Sequence, residues 1–241
     1  MKDFLMFDRF ADESVAIQLL SARQLHLRRF FFGYSNPIPG QRTGITTTPR
    51  DVLLSYAGVR YGRGVIDNTN AYDGANTGHE DEMRPGLVMA QITATKLWVP
   101  VKRTTVTAGG GATSTAVPVV DARAFKVGDT VTVGANTAQS ISAINYTTNT
   151  LTVPSITFAN SAVVFCDSLV GSELPRAILN EFVKLKDEDG VTRNKEFGKA
   201  LLQGLVDNNL ILADLAALRA LTLGSTSFLG LIQWGDQQGQ V

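Results

Sequence analysis

A single cysteine, Cys166, stands in the 241 residues. No disulfide can form within the chain, which excludes a small secreted domain built on disulfides. Histidine and tryptophan are nearly as scarce, at two each. His26 and His79 have no partners at a metal-binding or catalytic spacing. The H-E-x-x-H, C-x-x-C, P-loop and G-x-S-x-G patterns are all absent, and with them the sequence signatures of zinc proteases, thiol redox proteins, nucleotide hydrolases and serine hydrolases. Neither sign of charge is in excess: 22 Lys plus Arg balance 22 Asp plus Glu. A neutral chain has no basic field to hold nucleic acid and little self-repulsion to oppose packing into an assembly. No stretch approaches the roughly 20 apolar residues of a membrane span. Met1 to Phe10 carries Asp3 and Asp8 and has no apolar core of a signal peptide. The expectation is synthesis in the cytoplasm, with no nucleic-acid or membrane partner and no cofactor.

What is present is 44% hydrophobic residues in a chain of 25.9 kDa, enough for one large domain or two small ones with cores of their own. Residues 1–84 have a mixed texture. Ala11 to Arg29 reads as a helix, capped by Asp12 or Ser14, with Arg28 and Arg29 favourably placed in its last turn. Phe30, Phe31 and Phe32 follow, and three adjacent phenylalanines cannot share one face of any regular element. They read either as core or as apolar anchors of an arm that docks on a neighbouring subunit. Arg50 to Ile66 alternates weakly, with short strands expected around Tyr56, Val59 and Tyr61, and Asp67 to Glu82 is a loop rich in Asn, Asp and Gly.

From Pro85 the pattern is β. Leu87, Met89 and Gln91 fall on one face and Val88, Ala90 and Ile92 on the other, which predicts a buried strand, a Thr-rich turn and a second strand over Leu97 to Val101. Ala108 to Gly111 reads as a flexible joint. Strands are predicted at Thr115–Val120, Thr130–Val133, Gln139–Tyr146, Thr150–Val153 and Val163–Phe165, spaced as in a small sandwich or barrel. Arg176 to Leu185 predicts a strand, Lys186 to Lys195 a charged hairpin loop around Asp189-Gly190, and Phe197 to Val206 the returning strand, with a helix over Lys199 to Leu205 as the alternative. Leu212, Leu215, Ala216 and Leu218 have helical spacing, so Leu210 to Leu221 predicts a helix, capped by Asn208 or Asn209 and ended by Gly224.

Chemistry-bearing clusters are few. His79-Glu80-Asp81-Glu82 is the only dense group of His and acids; it reads as a solvated acidic loop rather than a cation site. Asp187-Glu188-Asp189-Gly190 lacks the spacing of a calcium loop and reads as a hairpin tip. Cys166, in an apolar run, reads as a small buried hydrophobe. Glu173 and Glu181 are the acid pair a glycan-acting enzyme would need, with no pattern that sets them facing. Tyr146 and Trp98 are candidate glycan-stacking groups, core packing being the expected role of Trp98.

Two patches carry a resemblance. The first is Arg84 to Val101, Arg-Pro-Gly-Leu-Val-Met-Ala-Gln-Ile-Thr-Ala-Thr-Lys-Leu-Trp-Val-Pro-Val. The second is Arg176 to Val183, Arg-Ala-Ile-Leu-Asn-Glu-Phe-Val, with an acidic loop, then Ala200 to Val206, Ala-Leu-Leu-Gln-Gly-Leu-Val, and a Leu/Ala-rich helix. Both are similar to segments of the lambda-type head decoration proteins of tailed phages, whose first patch reads roughly G-x-V-L-(G/A)-x-I-T-A-T-G-K-Y. The chain departs from that pattern in its long N-terminal segment and in residues 104–167, which read as an insertion.

The resemblance implies a mainly β fold with a few helices. A decoration-type domain over 85–103 and 168–241 is expected, with an inserted small β-sandwich or barrel over 104–167 and an N-terminal capsid-binding arm over 1–84. It further implies a non-enzymatic virion protein on the capsid surface that self-associates as a homotrimer and binds the major capsid protein. Phe30, Phe31, Phe32, Arg42 and Arg50 are the expected contacts. A tail, baseplate or head-fibre component is the alternative.

Overall fold

The computed structural model describes residues 52–219 and 232–235, within a compact unit that spans Thr48–Val241. The described part is mainly β. Fifteen strands carry it, with a single five-residue helix, α1 (Leu215–Arg219), and a 3-10 turn at Asn208–Leu210. The expected helix at Ala11–Arg29 and the expected contact residues Phe30, Phe31, Phe32, Arg42 and Arg50 lie outside the described residues.

The first sheet is assembled from distant parts of the chain. It contains β1 (Leu53–Ile66), β3 (Val88–Gln91), β4 (Trp98–Pro100), β12 (Pro175–Leu179), β14 (Lys195–Asp207) and β15 (Ile232–Gly235), in the order β1-β4-β3-β12-β14-β15. β1 also pairs with β14, which closes five of the strands into a barrel and removes their free edges. β15 runs parallel to the last four residues of β14, from Gly204↔Ile232 to Asp207↔Gly235. β1 is one long strand, not several short ones. Its alternation is weak because the register to β14 shifts repeatedly, notably between Ser55 and Arg60, where Gly58 has φ of +69°.

The alternation read over residues 87–91 survives in space. Leu87 and Met89 join a core with Ile66, Val99, Leu179, Phe197 and Ala200. Val88 and Ala90 join another with Leu53, Ile178, Leu201, Val206 and Leu218. The strand has two buried faces, as its near-continuous hydrophobicity requires. Ile92, beyond the end of β3, turns to the first of these cores.

Residues 103–166 form two further sheets. One holds β6 (Gly110–Pro118), β10 (Thr150–Phe158) and β9 (Ala143–Asn145). The other holds β5 (Arg103–Thr105), β11 (Val163–Cys166), β7 (Thr130–Val133) and β8 (Asn136–Ser140). They enclose a core of their own, including Val117, Phe125, Val131, Ile141, Leu151 and Val164, whose members all come from residues 106–164. A small two-stranded sheet pairs β2 (Glu82–Met83) with β13 (Val183–Lys184).

Four expectations are corrected. Gly110 and Gly111 are not a joint but the start of β6; the Phe158 ring lies over Gly110 so closely that a Cβ there would meet it at 2.4 Å. Residues 139–146 do not form one strand: Ile141 leaves the ladder to accept from Gly128 and donate to Asp129, splitting β8 from β9. The strand expected over Arg176–Leu185 breaks after Leu179: Asn180 still donates to Lys199 O on β14, but Val183 and Lys184 leave that sheet to pair with β2. The helix expected from Leu210 begins only at Leu215. Ile211 is extended, and Leu212 makes a parallel bridge with Leu87. Its cap is Asp214, whose Oδ1 accepts from the Ala217 N–H at 3.0 Å, and not Asn208 or Asn209.

Candidate functional site

The groups that could carry chemistry sit in separate places. At the acidic loop, His79 Nδ1 is 3.3 Å from Glu82, and Lys184 is 3.5 Å from the same carboxylate. Glu80 accepts from the Gly78 N–H at 2.9 Å; that bond, with one from its own backbone, holds its carboxyl below the usual range. Asp73 is buried and paired with Arg84 at 2.7 Å. Among the described residues no group of three or more His, Cys, Asp or Glu is arranged to hold a metal ion.

The two glutamates of the glycan-acting alternative serve the backbone instead. Glu173 Oε2 accepts from the Gly171 N–H at 2.8 Å, and Glu181 Oε1 from the N–H groups of Gly198 and Lys199 at 2.6 and 2.7 Å. Cys166 is buried, with its sulfur 3.2 Å from the Ser168 hydroxyl. Trp98 packs partly buried against the barrel core, edge-on to Phe197 with ring centroids 5.4 Å apart. The Tyr146 hydroxyl donates to Phe125 O at 2.8 Å and its ring meets that of Tyr72 at 5.8 Å. Burial pushes the Tyr146 phenol well above its ordinary range, with Tyr72 adding to the rise. Neither aromatic is held out as a free stacking face.

The densest polar arrangement is the seam between the barrel and the sheets of residues 103–166. Lys102, wholly buried, extends its ammonium to Asp129 Oδ2 at 2.6 Å; that oxygen also receives the Lys126 N–H at 2.8 Å. Asp214, also buried, accepts on Oδ2 from the Thr105 N–H at 2.8 Å, the Thr105 hydroxyl at 2.7 Å and the Thr104 hydroxyl at 3.1 Å. Arg103 donates to Ala217 O at 3.1 Å. Burial lowers the Arg103 guanidinium from its usual value, against the opposing pull of Glu173 and Asp214. Arg123 clasps Asp121, with Nε 2.8 and 2.9 Å from its two oxygens. Arg103, Arg123, Asp121 and Asp214 line a cleft with Leu87 and Leu212. Its free space of about 10 Å³ holds no more than one water.

Sequence reading passed over Lys102, Asp129 and Asp214. The only signal for Lys102 was one lysine following the apolar run Leu97–Val101; Asp129 read as an ordinary turn residue, and Asp214 fell inside the helix expected over Leu210 to Leu221. Large apolar side chains stand out singly at Tyr61, Val120, Val127, Val170, Phe182 and Val191. Among the described residues no helix is long and apolar enough to cross a membrane. No protein-family model and no curated protein matches the chain.

Proposed function

We propose that this chain is a structural virion protein that binds the outer surface of a phage capsid and stabilises it, as a decoration protein acting as a homotrimer on the major capsid protein. The observation that carries the reading is the pairing of β3 with β12, Met89 against Ala177 and Val88 against Ile178. Those strands belong to the two patches that resemble decoration proteins, and they share one barrel although the whole of residues 103–166 lies between them. The polar groups of the seam support the same reading, since they hold the backbone and one another, and the cleft that Asp214 lines has room for no more than one water. The work is mechanical: each copy buries surface across neighbouring capsid subunits, and repetition over the shell multiplies a modest gain per site.

The test is cosedimentation of the purified chain with expanded, undecorated capsids of the virus that encodes it. The full chain should pellet with them, and a variant lacking residues 1–50 should not. A full chain that stays in the supernatant removes the decoration reading. Densitometry of purified virions separates the tail, baseplate or head-fibre alternative. A shell protein is present at a copy number comparable to that of the major capsid protein, a tail component at a small fraction of it.

A further inference from the structure

We propose that Lys102 and Asp129 are joined by an intramolecular amide bond that rivets the barrel to the sheets of residues 103–166. The side chains meet at 2.6 Å, Nζ to Oδ2, with Lys102 wholly buried and Asp129 8% exposed. A charged lysine head has three N–H donors; this one makes one hydrogen bond, to Asp129. An ammonium so placed has lost its water and regained one partner, which is costly for an ion. Amide formation removes both charges.

The approach is fixed from both sides. The Lys102 backbone donates to Ser172 O at 2.8 Å and accepts from Cys166 N at 3.2 Å. The Asp129 backbone donates to Lys126 O at 3.1 Å and accepts from Ile141 N at 2.9 Å. Two groups held at contact in a dry site replace a bimolecular encounter with an intramolecular one. Buried lysines act as nucleophiles once uncharged.

The step balances without any co-reactant. A proton passes from the ammonium to the carboxylate across the short contact, leaving an amine and a carboxylic acid. The Nζ lone pair attacks Cγ and the Nζ–Cγ bond forms. The negative charge develops on Oδ1, while Oδ2, now protonated, stays beside the Lys126 N–H, 2.8 Å away. A second proton passes from Nζ to Oδ2, the Cγ–Oδ2 bond breaks, and Oδ2 departs as water. Oδ1 remains as the amide carbonyl, and Nζ keeps one proton. Nothing is oxidised or reduced.

The purified full-length chain decides the matter by intact mass under denaturing conditions, after incubation in the folded state at neutral pH. The expected mass is one water below that of the sequence. A tryptic digest should yield a branched peptide containing Lys102 and Asp129, with no cleavage after Lys102. Lys102→Arg, which keeps the ion pair, and Asp129→Ala should each restore the full mass. A wild-type chain at full mass, with Lys102 and Asp129 in separate peptides, overturns the proposal. So does a water loss that persists in Lys102→Arg, since it would then lie elsewhere, as at the Asp189-Gly190 turn. The measurement needs no capsid, so its outcome is independent of the decoration reading.

Discussion

Asp214 reaches Thr105 with one carboxylate oxygen, 2.8 Å from its backbone nitrogen and 2.7 Å from its hydroxyl, across 109 residues of chain. The other oxygen caps the helix that packs Leu218 into the barrel. One buried side chain thus holds the first strand of residues 103–166 and the start of α1 together.

Replacing Asp214 with Ala strands two backbone N–H donors and two threonine hydroxyls at a buried position. The predicted loss of stability is about 3 kcal/mol. Thr105→Val, which removes a hydroxyl and leaves the backbone bond, should cost about 1 kcal/mol. Urea denaturation of both variants against wild type checks the ratio, and equal losses would remove Asp214 from this role.

Gly64, in β1, is closely packed by two barrel side chains. A Cβ there would lie 2.4 Å from Trp98 Nε1 and 2.6 Å from the Phe197 ring, whereas one on Gly111 would meet nothing within 4 Å. Gly64→Ala should destabilise by about 2–3 kcal/mol. Gly111→Ala should stay within about 0.5 kcal/mol of wild type. Thermal melts of the two variants provide the comparison.

Much of this architecture was legible, and the parts that were not share a cause. The β3–β4 hairpin, β7 and the return of β14 follow from short apolar runs bounded by turn residues, a local property. The helix expected over 210–221 is present from Leu215 to Arg219, and its expected end at Gly224 lies outside the described residues. Its start was misplaced because Leu212 and Leu218 are spaced as on one helical face yet serve different ends: Leu212 bridges to Leu87 and packs on one core, while Leu218 lies in another. Spacing alone cannot separate those cases. β1 was hidden by its own register shifts. Lys102–Asp129 and Asp214–Thr105 are contacts across 27 and 109 residues, and no local pattern announces a buried lysine's partner. The expected shell contacts, Phe30, Phe31, Phe32, Arg42 and Arg50, fall outside the described residues.

Lys96 occupies the left-handed region with φ of 61°, at the turn between β3 and β4. A non-glycine residue there is strained, while glycine adds entropy to the unfolded chain. Lys96→Gly should therefore stabilise by roughly 0.5 kcal/mol, the balance of those two effects. Chemical denaturation reads the sign, and a loss of stability would show that the lysine side chain contributes contacts that outweigh the strain.

The hairpin after β13 carries a charge network in which Asp187 is held by Lys195 and Arg193, and Asp189 lies 2.7 Å from Arg193. Hydrogen bonds from Lys195 first, then Arg193, lower the Asp187 carboxyl below its ordinary value; Arg193 first, then the Val191 N–H, does the same for Asp189. Depressed folded-state values mean a contribution present above the unfolded aspartate value of about 3.9 and lost as pH falls through the folded values. Carbon-13 titration of the carboxyl groups should give both midpoints below the ordinary aspartate value. Arg193→Ala should move both upward, and added salt should weaken the effect. Ordinary midpoints in wild type would mean that the network does not persist in solution.

The pairing of Phe165 with Arg103 has a consequence for how such a chain is acquired and reused. Departure from the barrel and return to it run through neighbouring strands, about 4.8 Å apart. Any foreign domain whose own termini emerge side by side can be spliced between those two points without stretching either connection. The barrel is thereby a socket with two conditions: whatever is mounted where residues 104–165 now stand must also supply partners for buried Lys102 and Asp214, as Asp129, Thr104 and Thr105 do here.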